Sequence, residues 1–300
     1  MKNSSLLLSL LLFLQSTLFS QRVIEVSYIQ DTKGNYIFSC LNRDFCNYVL
    51  NVEFTTLENA KSDHSLPYEG EVKPGANKLF TISPVNPGHD VQLRYKNSYR
   101  KGCLNPSVNP AFTYLLPIAP GKEAQAYILS NVTGSGATGP GAASSGPDSG
   151  YTIRLRMKQG DTIYASRRGI ITRVEVGSSE NDAGGAVTGS LNYIEIVHND
   201  CSFGQYGIIK KDGAFVKPGQ VVEAGTPIGL VGGDKYGRGS DVRFSVSYYL
   251  GPSNMLIPLQ FWTKKNGKGP LRHGATYISE FPPTIVAQEK PKPAPKKKKA

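Results

Sequence analysis

The chain has 300 residues and 39% hydrophobic content, which is enough for two modest domains with buried cores. It contains 32 Gly, 20 Pro and 16 Tyr, a composition that favours turns and strands over long helices. Much of the net charge of +11 comes from lysines near the C-terminus, so the body is only mildly basic and nucleic acid is not an expected partner.

Residues 1–20 have the features of a signal peptide. Lys2 supplies a basic start, residues 6–14 form an apolar run, and the small Ser20 precedes the expected cleavage point. This run is too short for a permanent transmembrane helix, which needs roughly 20 apolar residues, and an uncleaved anchor is the alternative interpretation. We therefore expect an exported protein, periplasmic, on the cell surface or extracellular, whose mature chain has no transmembrane segment.

Residues 21–130 alternate short apolar runs with Gly, Pro and Asn. Residues 48–54 and 78–82 are two such runs, and their apolar positions recur with a period of two. This pattern predicts an immunoglobulin-like β-sandwich. His64 and His89 lie in polar loop contexts, so we interpret them as exposed residues without a chemical role.

The four cysteines allow two disulfides in an exported protein. Three of them lie in the first half of the chain, and we expect one bridge among Cys40, Cys46 and Cys103. The connectivity stays open, and Cys201 is a candidate free thiol. The sequence has no C-x-x-C pair, which argues against a zinc site made of thiolates.

Two segments have a composition that does not support a core. Residues 131–150 are rich in Gly and Ser and predict a linker or loop. Residues 281–300 end in a run of Pro and Lys that cannot bury apolar surface, so they predict a disordered tail. The lysines of this tail either hold the protein near an anionic envelope surface or only keep it soluble.

Four blocks of the second half occur in the order of a known family. Residues 160–171 (GDTIYASRRGII) resemble a strand pair of the lysostaphin or LytM-type zinc metallopeptidases, family twenty-three of the metallopeptidases. Residues 192–198, 216–229 and 239–246 resemble its later blocks. For residues 151–280 the resemblance implies the all-β LytM-like fold, a duplicated-hybrid-motif β-barrel or sandwich, with a C-terminal extension.

The resemblance also shows which residues stand at the metal site. In the family, a His and an Asp near the first strand pair and the second His of the closing block hold zinc, and a further His assists. Here the resemblance puts Arg154 at the Asp position, Asp241 and Arg243 at the two His positions of the closing block, and Gly207 or, one residue on, Ile208 at the assisting position. Residues 90–197 contain no histidine, and arginine has no lone pair to donate to a metal. The resemblance therefore implies no zinc cofactor and no catalytic residues.

If the fold is kept, Arg154, Asp241 and Arg243 converge near the position of the lost zinc. One interpretation is structural repair, in which an Arg154–Asp241 salt bridge replaces a tie made by the metal. The other is an anion-binding site, in which Arg154 and Arg243 bind a carboxylate such as that of a wall peptide.

These features lead to three hypotheses of function. The first is an exported, catalytically inactive peptidase-like protein that binds cell-wall peptide or regulates a partner wall hydrolase. The second is a structural envelope protein that uses the domain as a scaffold. The third is an active zinc endopeptidase with relocated ligands, for which the available donors are His198, Asp200, Asp234 and Asp241.

Overall fold

The computed structural model describes residues 22–129, 150–177, 192–233 and 240–287. The predicted signal peptide, the predicted linker except Gly150, and the lysines of the tail lie outside these ranges. Strands account for nearly all of the regular structure, which confirms the predicted all-β class. None of the helices in the described ranges has the length and apolar composition needed to cross a membrane.

The first structural unit is a sandwich of two sheets. Its strands are β1 (Ile24–Gln30), β2 (Tyr36–Asn42), β3 (Tyr48–Glu58), β4 (Ala60–Ser62), β5 (Tyr68–Val72), β6 (Gly75–Pro84) and β7 (Gln92–Lys101). One sheet has the order β1-β2-β6-β4 and the other β5-β3-β7. Phe38 stacks on Phe80 in the core with ring centroids 4.7 Å apart, and the ring of Phe54 meets Phe38 edge-on. The two-sheet arrangement agrees with the predicted sandwich, and its immunoglobulin-like topology stays a prediction.

The second structural unit contains the rest of the described chain. Its elements are β8 (Thr113–Leu115), β9 (Glu123–Leu129), β10 (Thr152–Arg156), β11 (Thr162–Tyr164), β12 (Gly169–Glu175), β13 (Tyr193–Val197), β14 (Phe203–Gly207), β15 (Ile209–Ala214), β16 (Val221–Val222), β17 (Pro227–Val231), β18 (Asp241–Leu250), β19 (Ser253–Leu256), β20 (Gln260–Thr263), β21 (Gly267–Gly269), β22 (Thr276–Ile278) and the helix α1 (Pro283–Val286). The large sheet has the order β16-β12-β13-β14-β18-β10-β9-β22, with β19 paired to β18. Its edge strands β16 and β22 do not pair with each other, so the described strands form an open sheet rather than a closed barrel.

Strand pairing divides the chain earlier than residue 130, where the sequence pattern placed the end of the sandwich. β9 pairs with β10 and β22, and β8 pairs with β20, so both strands belong to the second unit. A period of two identifies a strand but not the sheet that it joins. The structure also differs at Phe281, where the disordered tail was expected to begin, because its ring centroid lies 5.5 Å from that of Tyr164.

The two faces of the large sheet differ in polarity. On the inner face, buried side chains such as Ile153, Leu155 and Phe244 form one core with the small sheet β11-β17-β15. Side chains alternate along a strand, so Arg154 and Arg243 lie on the outer face. The outer face therefore carries the positions that the resemblance assigns to a metal site.

The sandwich packs on one end of this outer face. Phe203 of β14 belongs to the sandwich core, and Nζ of Lys101 lies 4.8 Å from the centroid of its ring. The same lysine forms an ion pair with Glu195 of β13, and each side chain is only 14% exposed. A disulfide between Cys103 and Cys201 joins the two units nearby. Covalent, ionic and apolar contacts thus tie the sandwich to the large sheet.

The prediction of a disulfide among Cys40, Cys46 and Cys103 is wrong. Cys103 is bonded to Cys201, with their Cα atoms 5.9 Å apart, and Cys40 and Cys46 are free thiols buried in the sandwich. Burial raises the pKa of Cys40 to about 11 and also raises that of Cys46. Clustering in the sequence favoured a bridge within the first half, whereas tertiary packing brings Cys103 beside a hairpin 98 residues away.

Candidate functional site

One row of residues crosses the outer face of the large sheet, and we call it the arginine row. It consists, in strand register, of Tyr127, Arg154, Arg243, Gly207 and Tyr193. Neighbouring strands lie about 4.8 Å apart, so adjacent members of the row are cross-strand neighbours. The row brings together three of the positions that the resemblance selected.

Asp241 lies between the two arginines of the row. Nε of Arg154 is 3.6 Å from Oδ2 of Asp241, and Nε of Arg243 is 3.8 Å from Oδ1. These are ion pairs, but both distances exceed the usual length of a hydrogen bond, about 2.7–3.2 Å. Both Nε atoms are buried, and neither has a hydrogen-bond partner within the described part of the chain. The predicted convergence of these three residues and the Arg154–Asp241 salt bridge are therefore present.

Tyr127 supports one end of the arginine row. The guanidinium carbon of Arg154 lies 4.5 Å from its ring centroid, and that of Arg156 lies 5.5 Å from it. Such cation–π contacts contribute about 0.5–1 kcal/mol at exposed sites. His273 meets the same ring edge-on, with the centroids 5.4 Å apart. Tyr127 and His273 lie outside the four blocks, so the resemblance did not predict their part in the site.

Gly207 lies beside Arg243, at the position assigned to the assisting histidine. A Cβ atom on Gly207 would have two neighbours within 4 Å, the Cβ of Arg243 at 3.6 Å and its carbonyl oxygen at 3.9 Å. These are ordinary contact distances, so the backbone has room for a side chain here. Gly207 therefore lies beside Arg243 in the row, and crowding by neighbouring atoms does not account for a glycine at this position.

The residues of the row do not fit a zinc ion. A catalytic zinc takes three ligands from His, Asp, Glu or Cys and keeps one open position, whereas this site offers one carboxylate between two guanidiniums. Residues 144–150, where the first histidine would be expected, contain none and lie outside the described ranges except for Gly150. Elsewhere in those ranges, no three His, Cys, Asp or Glu side chains are grouped to hold a metal.

The donors considered for a relocated metal site have other partners. His198 donates from Nδ1 to the carbonyl oxygen of Arg168 at 2.7 Å. Asp200 accepts a hydrogen bond of 2.8 Å from Nη1 of Arg167. Asp234 lies outside the described residues. Of the three candidates within the described residues, Asp241 is the one that lies at the arginine row.

His198 orders the hairpin between β13 and β14. Its N–H donates to the carbonyl of Ser202 at 2.8 Å, and its carbonyl accepts from the N–H of Cys201 at 3.0 Å. The residue is 3% exposed. Burial, together with the nearby charge of Arg167, lowers the pKa of the imidazole to about 3.

We expect His198 to make the protein less stable in mild acid. The unfolded chain protonates this histidine below about pH 6.5, whereas the folded protein keeps it neutral until about pH 3. In that window the unfolded state binds more protons, so the free energy of unfolding falls as the pH falls. His198→Asn retains a donor for the carbonyl of Arg168 and removes the titration, so its stability should depend less on pH.

Urea unfolding at several pH values between about 6.5 and 4 measures this difference. The exposed His89 supplies the control, because His89→Asn should leave the pH dependence of the native sequence unchanged. Identical pH slopes for His198→Asn and the native sequence would contradict the assignment.

The sequence analysis missed a buried polar cluster around Arg167. This residue is 3% exposed, and its guanidinium carbon lies 3.9 Å from the ring centroid of Phe112. Asp200 accepts from Arg167 and also from the N–H and hydroxyl of Ser202. Burial alone would raise the pKa of Asp200, but the charge of Arg167 and the hydrogen bonds lower it. No sequence spacing distinguishes this pair from an exposed one, because its members lie in two separate turns.

Comparison with known proteins finds a family match for part of the second unit. Residues 148–255 match the family described as Peptidase family M23. The chain is similar to the solution structure of lysostaphin, with 27% identity over 36% of this chain and 40% of that chain and a TM-score of 0.28. The lysostaphin catalytic domain from Staphylococcus simulans gives 24% identity over 46% of this chain and 88% of that chain, with a TM-score of 0.30. Csd3 of Helicobacter pylori gives 13% identity over 82% and 77% of the two chains, with a TM-score of 0.32.

The similarity covers less than half of the whole lysostaphin chain, whereas it covers most of its catalytic domain. A search of curated proteins gives no match. The family match runs from just before β10 into β19, and it includes all four blocks on which the resemblance rests. Residues 148–255 therefore match the model of Peptidase family M23, and the rest of the chain lies outside that match.

Proposed function

We propose that this protein is an exported, catalytically inactive relative of the wall peptidases that binds cell-wall peptide, alone or as a regulator of a partner wall hydrolase. The observation that carries the proposal is the ion-paired cluster of Arg154, Asp241 and Arg243 at positions where the family resemblance expects metal ligands. Without a metal site the domain lacks the group that activates water in zinc peptidases. It retains the sheet on which that chemistry would take place.

The charges of the cluster disfavour a dication and favour an anion. Two unit charges 4 Å apart interact by about 4 kcal/mol at an effective dielectric constant of 20. A zinc ion here would face two guanidiniums that stay charged at any working pH. A carboxylate, in contrast, can accept two parallel hydrogen bonds from one guanidinium. Wall peptides carry such carboxylates, which supports peptide binding.

Other parts of the chain fit the cell envelope. Residues 1–20 have the pattern of a signal peptide, and a disulfide such as Cys103–Cys201 persists in oxidising compartments outside the cytosol. The lysines of the C-terminal tail would add about 1 kcal/mol each near an anionic membrane surface. In the structural alternative these parts act alone, and the domain is a scaffold whose arginine row binds no ligand.

We expect the purified mature protein to retain far less than one zinc per chain after exposure to excess zinc and dialysis. It should release no peptide from purified cell walls, and it should co-sediment with them. Elemental analysis, a wall-hydrolysis assay with lysostaphin as the positive control, and sedimentation measure these three properties. One firmly held zinc per chain together with hydrolysis would establish relocated ligands instead. A protein that neither hydrolyses nor co-sediments would favour the structural alternative.

A further inference from the structure

We infer that the arginine row binds a carboxylate of a single extended peptide segment, and that Arg154 and Arg243 receive it. This inference rests on the proposed function and deepens it, because it names the chemical group by which the wall peptide is recognised. Three properties of the outer face support it: its charge, its unused hydrogen-bond donors and its narrow surroundings.

The arginine row and its immediate neighbours carry an excess of positive charge. Arg154, Arg156 and Arg243 are grouped around one carboxylate, that of Asp241, which is opposite Arg156 in the strand register. The side chain of Asp241 is 6% exposed, whereas Arg156 is exposed. The positive charge that Asp241 does not neutralise is therefore available to an anion from solvent.

Arg154 and Arg243 also have donors that the described residues do not use. Their Nε atoms are buried, and no described residue accepts a hydrogen bond from either. A buried donor without an acceptor destabilises a protein, and a ligand oxygen would satisfy it. The side chains are 13% and 19% exposed, so part of each is accessible. The planar guanidinium offers Nε and a terminal nitrogen as a fork that matches the two oxygens of a carboxylate.

The surroundings favour a narrow ligand. Glu195 follows Tyr193 by two residues on β13, a distance of about 7 Å along the strand, and it is already bonded to Lys101 of the sandwich. Phe203, on the same face of β14, is part of the sandwich core. The sandwich therefore stands on the outer face beside the row and flanks it. A single extended peptide fits beside such a flank more readily than the surface of a folded partner.

At the end of the row away from the sandwich, Tyr127 orients the side chain of Arg154 for binding. Its ring stacks against the guanidinium of Arg154 at 4.5 Å, which restricts the plane of that fork. A fork that is already oriented loses less side-chain entropy when it binds. Arg154 is thus the oriented donor, and Arg243 lies beside Gly207, where the row has no side chain.

The test uses the full mature protein and short N-acetylated peptides in calorimetric titrations. Trialanine, in the L and in the D configuration, is compared as the free acid and as the C-terminal amide. An amidated Ala-Glu-Ala peptide tests a side-chain carboxylate, and inorganic phosphate tests a different anion. We expect peptides with a carboxylate to bind at least tenfold more tightly than the neutral amide, as one charge-assisted contact predicts. Binding of the trialanine acid identifies a terminal carboxylate as the recognised group, and binding of the amidated Ala-Glu-Ala peptide identifies a side-chain carboxylate.

Three variants test whether the preference for a carboxylate depends on Arg243. Arg243→Gln should remove most of the tenfold preference, and Arg243→Lys, which keeps the charge but loses the fork, should remove part of it. Arg94 is an exposed arginine on β7 of the sandwich, so Arg94→Gln should bind like the native protein. A preference that survives in both Arg243 variants would overturn the assignment of the row. Thermal unfolding of each variant separates lost binding from lost folding.

The outcomes distinguish this inference from the proposed function. If the neutral amide binds as tightly as the acids, or if walls co-sediment while no peptide binds, carboxylate recognition is wrong and wall binding stands. Phosphate that binds more tightly than every peptide would also overturn the inference. If neither walls nor peptides bind, the proposed function fails together with it.

Discussion

Replacing Arg167 with methionine should lower the free energy of unfolding by about 3–5 kcal/mol, the range for removing one partner of a buried ion pair. The substitution leaves the carboxylate of Asp200 buried, with a side-chain exposure of 10%. Ser202 still donates two hydrogen bonds to Asp200, but no hydrogen bond replaces a neutralising charge. Methionine retains much of the contact with Phe112, so the loss should be mainly electrostatic.

A double-mutant cycle with Asp200→Asn measures the coupling between the two groups. The double variant Arg167→Met/Asp200→Asn buries no unpaired charge. Its loss of unfolding free energy should therefore be smaller than the sum of the losses in the two single variants. Arg168 provides the matched control, because its ion pair with Glu223 at 3.1 Å involves a carboxylate that is 47% exposed. Arg168→Met should therefore cost at most about 1 kcal/mol through that pair. Equal costs at residues 167 and 168, measured by urea unfolding, would contradict a buried ion pair.

The relative positions of Arg154 and Arg243 could be predicted from the sequence, because the family resemblance places them on two strands of one sheet. Once Arg154 and Arg243 are placed on neighbouring antiparallel strands, alternation and register put them opposite each other on one face. Gly207 follows by the same reasoning on the next strand. Register and alternation on neighbouring strands do not depend on how the other segments of the chain pack.

Contacts between distant segments could not be predicted in the same way. Tyr127 reaches the row because β9 joins the large sheet, and its sequence pattern equally suited the sandwich. His273 comes from an extension that the blocks do not cover. The partner of Cys103 depends on how the two units pack, which neither composition nor spacing records. Tertiary packing decided each of these contacts, and it left no periodic signal in the sequence.

Removing the disulfide with Cys103→Ser/Cys201→Ser should lower the free energy of unfolding by about 2–5 kcal/mol. The bridge closes a loop whose ends are 98 residues apart in the sequence. The chain-entropy model assigns about 4.7 kcal/mol to a loop of that size. The remaining contacts of the interface, Lys101 with Glu195 and with the ring of Phe203, should keep the sandwich docked in the folded variant. The expected effect is therefore a less stable protein with an unchanged fold.

Urea unfolding of the oxidised protein, the reduced protein and the double serine variant measures this effect. Reduced native protein should unfold like the serine variant, and thiol titration of the oxidised, denatured chain should find the two free cysteines, Cys40 and Cys46. Cys40→Ala is the matched control, because it changes a buried cysteine without opening the loop, and its stability should still respond to reductant. A serine variant as stable as the oxidised native protein would mean that packing alone holds the two units together.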